Sequence, residues 1–217
     1  MGYSFAGWTG SNGTTAQTTV KIVKGSTGNK SYTANWTANT YTYSIKYVSK
    51  SGVALGTATV SGTYGSSKNV TAPAKTGYST PAAQNVAFNS VNAKTITFTY
   101  TPIDYTIAYD VNGGNSLSGQ RTTYNVESSA YTLPTPSRAG HTFTGGTGSN
   151  GTTAQTSVVL TKGTTGNKSY KANWKAKTYT ITYNSNCTTS SGTMATDTVT
   201  YGTDYTAKAN AFTRPGY

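Results

Sequence analysis

The chain has 217 residues, of which 34% are apolar, 12% aromatic and only 10% charged. Its formal charge of +12 comes from scattered lysines, with arginine only at Arg121, Arg138 and Arg214, so the clustered footprint of a nucleic-acid reader is missing and no specific nucleic acid is expected. The acids Asp104, Asp110, Glu127, Asp197 and Asp204, the lone His141 and the lone Cys187 give no metal-ligand spacing, no intrachain disulfide and no cofactor motif.

In chain order, the first feature is a block from Phe5 to Trp36 that returns from Phe143 to Trp174 without insertion or deletion. Over Tyr3–Thr37 against His141–Lys175, 24 of 35 positions are identical. Such self-similarity indicates an array of like modules. Next come stretches alternating an aromatic or aliphatic residue with Thr, Ser or Lys: Tyr41–Tyr47, Thr95–Tyr100, Tyr105–Tyr109 and Tyr179–Tyr183. That period of two is the pattern of half-buried strands. Asn12-Gly13, Gly28-Asn29, Gly113-Gly114, Asn150-Gly151 and Gly166-Asn167 mark turns between them. No segment sustains a 3.6-residue apolar period, and the weak helix candidates are short, near Ser66–Ala74 and Thr152–Val158.

A second comparison places the module boundaries. Tyr105–Tyr109 opens a segment closing at Arg138-Ala139-Gly140-His141, and Tyr179–Tyr183 opens one closing at Arg214-Pro215-Gly216-Tyr217. One whole unit therefore spans 102–175. Residues 1–37 are the C-terminal half of such a unit, and 176–217 are the N-terminal half of another. Residues 38–101 lack the TGSNGTT block and read as a second, related module. No apolar run is long enough to span a membrane. The chain reads as an internal stretch of a longer protein, with targeting signals outside it.

Residues 105–174, through YTIAYDVNGG, LPTPSRAGHTF and YKANW, resemble the Listeria–Bacteroides (internalin B-type) repeat, and Gly2–Trp8 supplies its GYSFAGW in the first copy. The middle segment resembles a MucBP (mucin-binding protein) module through Ile45–Val48, Gly52, Gly62, Gly77-Tyr78 and Thr95–Tyr100. The resemblance implies a mainly β to α+β fold, made of tandem β-grasp-like (ubiquitin-like) modules in an elongated array, each with about one short helix on a small sheet. It also implies an extracellular place on a bacterial cell wall or surface. The copies depart from each other at one large side chain, where Gly146 stands in place of Trp8. In a packed site that loss costs about 3–5 kcal/mol, so either Trp8 is only partly buried or the second copy repacks.

Catalysis is not expected. Asp104 and Asp110 flank a strand as turn residues, and His141 occupies the place of Tyr3 in the other copy. GSTGNKS and GTTGNKS do not meet the phosphate-loop spacing. Trp36, Trp174 and the strand tyrosines read as core and cross-strand pairs. The expected function is a non-catalytic stalk or spacer of a bacterial surface adhesin, holding a binding tip away from the wall. The alternative is direct binding of mucin or host glycan by the middle module, with Tyr47, Tyr64, Tyr78, Lys46 and Lys75 as candidate contacts. Diffuse positive charge also suits wall polymers. The chain is expected to be a monomer, with head-to-tail association through its half-units as its route to assembly.

Overall fold

The computed structural model describes residues 2–90 and 92–216. It is all β: eighteen strands and no helix among the described residues. None of it therefore forms a helix long and apolar enough to cross a membrane. The chain divides into two units, Met1–Ile103 and Asp104–Tyr217.

The first unit opens with β1 (Tyr3–Gly10), β2 (Gly13–Gln17) and β3 (Tyr32–Ala38), which form an antiparallel sheet in the order β2-β1-β3. A second sheet follows from β4 (Thr40–Ser49), β5 (Ala54–Thr63), β7 (Tyr78–Ser79) and β9 (Thr95–Pro102), while β6 (Ser67–Val70) and β8 (Gln84–Ala87) make a two-stranded ribbon. The sheet order is β5-β4-β9-β7, with β4 and β9 parallel and the other pairs antiparallel. The period-two reading of β4 holds residue by residue. Tyr43, Ile45 and Tyr47 are buried, and Thr42, Ser44 and Lys46 between them are exposed. With Val60, Val86, Phe88, Phe98 and Tyr100 they make the core of this unit. Aromatic rings carry it: Tyr43 stacks on Phe88 at 5.1 Å, and Tyr47 meets Phe98 at 5.9 Å. The buried phenols are paired, Tyr43 donating to the Ser90 carbonyl at 2.9 Å and Tyr100 to that of Pro73 at 2.6 Å.

The second unit contains β10 (Tyr105–Asp110), β11 (Thr123–Tyr124), β12 (Tyr131–Thr132), β13 (His141–Gly148), β14 (Gly151–Gln155), β15 (Val159–Leu160), β16 (Lys168–Ala176), β17 (Thr178–Ile181) and β18 (Asp197–Thr200). Its main sheet runs β11-β10-β16-β13-β14, again with the first strand parallel to the last, β10 beside β16. The strands β12 and β15 form a ribbon, and β17 and β18 a separate antiparallel pair. The core holds Ile107, Tyr124, Leu160 and Tyr170, with Tyr105, Tyr109, Tyr131, Leu133 and Val158 packed against it. The middle module and the repeat thus share one strand plan, with β4, β5, β9 and β7 in the places of β10, β11, β16 and β13.

The mainly β expectation holds, but the short helices do not form. Ser67–Val70 is strand β6, paired with β8, and Gly151–Gln155 is strand β14, folded back on β13 at the Asn150-Gly151 turn. A weak local helix preference yields once a neighbouring strand is available to pair with, and in β14 the β-branched Thr152 and Thr153 favour the extended chain as well. The crossing element of each module is a ribbon, not a helix.

The duplicated block uses its polar residues structurally. The Asn35 amide donates to the Gly7 carbonyl at 3.1 Å and to the Thr9 hydroxyl at 2.9 Å, and Asn173 repeats both bonds to Gly145 and Thr147 at 3.0 and 3.1 Å. These bonds cross a bulge at Gly7 and Gly145, where φ is +136° and +126° and a Cβ would press on the Gln17 or Gln155 backbone.

Candidate functional site

The arrangement that recurs between modules is a joint made of a glycine, a linker residue and a tyrosine. In the first unit β3 ends at Ala38, and the next residue, Asn39, donates its N–H to the Gly2 carbonyl at 2.9 Å. The Asn39 carbonyl then accepts from Tyr64 N–H at 2.8 Å. The Tyr64 ring lies against Gly2 so closely that a Cβ there would overlap it, and it meets Tyr3 edge to face at 5.4 Å. The Ser4 hydroxyl closes the corner by donating to the Asn39 side-chain oxygen at 2.5 Å.

The second unit repeats this geometry with different residues. Lys177 N–H donates to the Gly140 carbonyl at 2.8 Å, and Tyr201 N–H donates to the Lys177 carbonyl at 2.8 Å. The Tyr201 ring covers Gly140 and meets His141 edge to face at 5.6 Å. The first of these bonds also follows the middle module, where Ile103 N–H donates to the Gly77 carbonyl at 2.9 Å next to the Tyr78–Pro102 strand pair. Asn39 and Lys177 are interchangeable here because the main chain makes the bonds. The ring needs a residue without a side chain beneath it, and Gly140, at φ +67°, also needs the freedom of glycine. In the sequence the joint is marked by a Gly-aromatic dipeptide, at Gly2-Tyr3, Gly77-Tyr78 and Gly140-His141, rather than by any of the candidate contact residues.

The five candidate glycan contacts do not form one platform. Tyr47 is buried in the core, with the Lys75 ammonium 5.6 Å from its ring centre. Tyr78 is half-buried and packs edge to face on Tyr100 at 6.2 Å, near that pair. Lys46 projects from the opposite, exposed face of β4, and Tyr64 is taken up in the joint. Trp36 and Trp174 part company as well. Trp174 is half-buried and donates its indole N–H to the Val111 carbonyl at 3.0 Å, whereas Trp36 is 59% exposed, so the reading of Trp36 as core is corrected. The reason is a neighbour: β16 lies beside β10, and β3 has no strand on that side among the described residues.

The Gly146 question also resolves. Trp8 packs edge to face on Phe5 at 5.2 Å and is partly exposed. In the second copy an apolar pocket lined by Val111, Leu117, Leu133, Phe143 and Tyr170 opens beside Gly146. No repacking fills it.

Acid–base chemistry is sparse. Among the described residues no three His, Cys, Asp or Glu side chains gather as metal ligands. His141 Nδ1 is held at the Ala139 carbonyl at 2.8 Å. The most connected ionisable group is Asp197, whose carboxylate is held below its usual range by hydrogen bonds, first from Lys208 at 2.5 Å and then from Tyr205. The same bond to Asp197 pushes the Tyr205 phenol up. This network staples the last segment together.

The Listeria-Bacteroides repeat domain family matches residues 105–169 and 179–217. These two segments belong to the Listeria-Bacteroides repeat family. Repeats of this family are of a non-enzymatic kind and occur in bacterial surface proteins, which suggests an extracellular location. The family match covers the front half of the whole repeat, its duplicated block as far as Ser169, and the terminal half-repeat. Residues 3–37 join the repeats through their 24 identities with 141–175. No curated protein matches the chain.

Proposed function

We propose that the chain is a non-catalytic stalk segment of a bacterial surface adhesin, built from Listeria-Bacteroides repeats and a MucBP-like module at residues 38–101, which holds a binding tip away from the cell wall. One observation carries the reading: the same Gly–linker–Tyr joint connects a repeat to the middle module at Gly2, Asn39 and Tyr64 and a repeat to a repeat at Gly140, Lys177 and Tyr201. A spacer needs each module to follow its predecessor in a set orientation, whatever the module type, and in a linear array each module contacts mainly its neighbours. A one-residue linker with both main-chain groups bonded meets that need without conserving side chains.

Small-angle scattering at low concentration tests this. An elongated particle supports the stalk, and a compact globule overturns it. A mucin and glycan panel with the whole chain, set against a charge-matched control protein, tests the binding alternative. Signal above the control that Lys75→Ala or Tyr78→Ala removes would make the middle module a receptor-binding domain.

A further inference from the structure

The middle module leaves one long strand edge open. β5 is the outermost strand of its sheet, and among the described residues no strand pairs with its outer edge. Its pairing with β4 runs without a break from Thr40 beside Thr63 to Tyr47 beside Gly56, and the bulge falls only beyond that stretch, before Val48 and Ala54. At about 3.4 Å per residue, 56–63 offers roughly 24 Å of regular edge. In the whole repeat, the strand in the corresponding place is cut to Thr123–Tyr124. The repeat blunts this edge by shortening it, and the middle module does not.

Folded chains guard an edge strand with a charge, a proline or a bulge along it, because its free N–H and C=O groups accept another strand. From Thr57 to Thr63, TATVSGT carries none of these guards. Thr57, Thr59, Ser61 and Thr63 are exposed on the solvent face. On the other face Ala58 is exposed although Ile45, its partner on β4, is buried. The apolar side of the sheet therefore stops one strand short of full cover.

The charges around the edge define the chemistry that suits it. The middle module holds Lys46, Lys50, Lys68, Lys75 and Lys94 and no Asp or Glu, since every acid of the chain stands at Asp104 or later. Two of these lysines bracket the Gly56 end of β5 on opposite faces. Lys46 is the β4 partner of Thr57, on the exposed face. The Lys75 ammonium lies 3.7 Å from where a Cβ on Gly56 would stand, on the face of the Tyr47 ring. Neighbouring strands lie about 4.8 Å apart, so a lysine stem from either side spans to a strand laid outside β5. A second copy brings the same lysines and no acid to pair with them, which makes it the poorer occupant.

We propose that the β5 edge is a docking site for an extended acidic peptide segment of a partner protein, which adds as a further strand outside β5 and sets two consecutive acidic residues at Lys46 and Lys75. Successive side chains of a strand point to opposite faces, so the two acids meet the two lysines at once. Main-chain bonds along 57–63 supply affinity, and the lysine pair fixes which end of the segment lies at Gly56. This surface goes beyond the stalk reading and does not depend on it: a spacer carrying it holds a second protein along its length.

The test uses the whole chain and an eight-residue peptide that alternates Thr and Val and closes on Asp-Glu, with the reversed sequence supplying the other orientation. Amide hydrogen exchange is followed by NMR. With one of the two peptides, exchange slows at every second amide of 57–63, the set whose N–H groups point outward, and stays unchanged at Thr123 and Tyr124. A peptide closing on Lys-Lys binds several-fold more weakly, and Lys46→Gln weakens the acidic peptide several-fold. Lys46 is exposed, so this variant keeps the fold. Unchanged exchange along 57–63 with both peptides at millimolar concentration overturns the proposal. So does equal binding of the acidic and lysine peptides, or of the acidic peptide to the unaltered and Lys46→Gln chains. Slowed exchange at the same amides in the chain alone, growing with its concentration, would assign the edge to a second copy and overturn it too. The scattering test of the stalk is read without peptide at low concentration, so its outcome is separate from all of these.

Discussion

The ring of Tyr201 lies on the Cα of Gly140, and the two residues are tied through Lys177, which donates its N–H to Gly140 and accepts from Tyr201. Tyr64, Gly2 and Asn39 form the same triangle in a different sequence context. In both of these joints, ring, glycine and one linker residue hold the start of the strand that follows.

Gly140→Ala separates this contact from mere backbone conformation. Gly119 has φ +66°, against +67° at Gly140, and nothing lies within 4 Å of its Cβ position. Gly119→Ala pays only the left-handed backbone cost of about 1–2 kcal/mol. Gly140→Ala pays that cost and an overlap with Tyr201, about 1–3 kcal/mol more. Thermal unfolding with hydrogen exchange at the Lys177 amide reads both. Equal costs and unchanged protection would show that the ring contributes nothing to the joint.

Gly146→Trp is expected to stabilise the whole repeat. A Cβ at Gly146 meets only the Lys171 carbonyl, at 3.9 Å, and its φ is ordinary, so a side chain enters without strain. The ring fills the pocket among Leu117, Leu133 and Phe143 and adds about 1–2 kcal/mol, less than full burial of an aromatic because the site is partly open. Urea denaturation followed by circular dichroism checks it. A lowered midpoint would mean that the pocket walls cannot accept the ring.

The identical tryptophans should respond differently to truncation. Trp174→Ala removes half-buried area and the bond to Val111 and costs about 2–3 kcal/mol. Trp36→Ala, at an exposed position, costs under about 1 kcal/mol in the monomer at low concentration. Comparable costs in the two variants would show that β3 is covered in solution as β16 is.

Alkaline pH should unfold the chain. Burial, the leading cause in each case, raises the phenols of Tyr100, Tyr109, Tyr124 and Tyr170 above their ordinary value of 10.0. In the unfolded chain they ionise near that value, while in the folded chain they stay neutral to higher pH. Their contribution is therefore complete below about pH 10 and is lost as pH climbs beyond it. Melting temperatures between about pH 8 and 11 should fall steeply only at the upper end. Tyr124→Phe should make the fall shallower, and an unchanged slope would remove Tyr124 from the set.

Much of the fold was legible because alternation is a local property. Tyr43, Ile45 and Tyr47 point inward as their spacing demands, and the Asn150-Gly151 turn folds β13 onto β14. The short helices failed because a weak local preference near Ser66 and Thr152 yields to a paired strand. The resemblance and the residue types that suggest Tyr47 and Tyr64 as glycan contacts do not say that Tyr47 faces the core or that Tyr64 sits on Gly2. The joint leaves little trace in the sequence because its recurring hydrogen bonds are main-chain bonds, and a glycine followed by an aromatic residue is all that marks it.

Sequence alone determined that this is a β-rich, repeated chain, with Listeria-Bacteroides repeats over residues 105–169 and 179–217, since side-chain alternation, turn dipeptides and the duplicated block are all read along the chain. Tertiary structure decided what each copy does with the same residues. Trp36 and Trp174, or Ile22 and Leu160, occupy equivalent places and differ in exposure because a strand more than fifty residues away covers one copy and not the other. Burial belongs to the neighbour as much as to the residue, and that neighbour is supplied only when the chain folds.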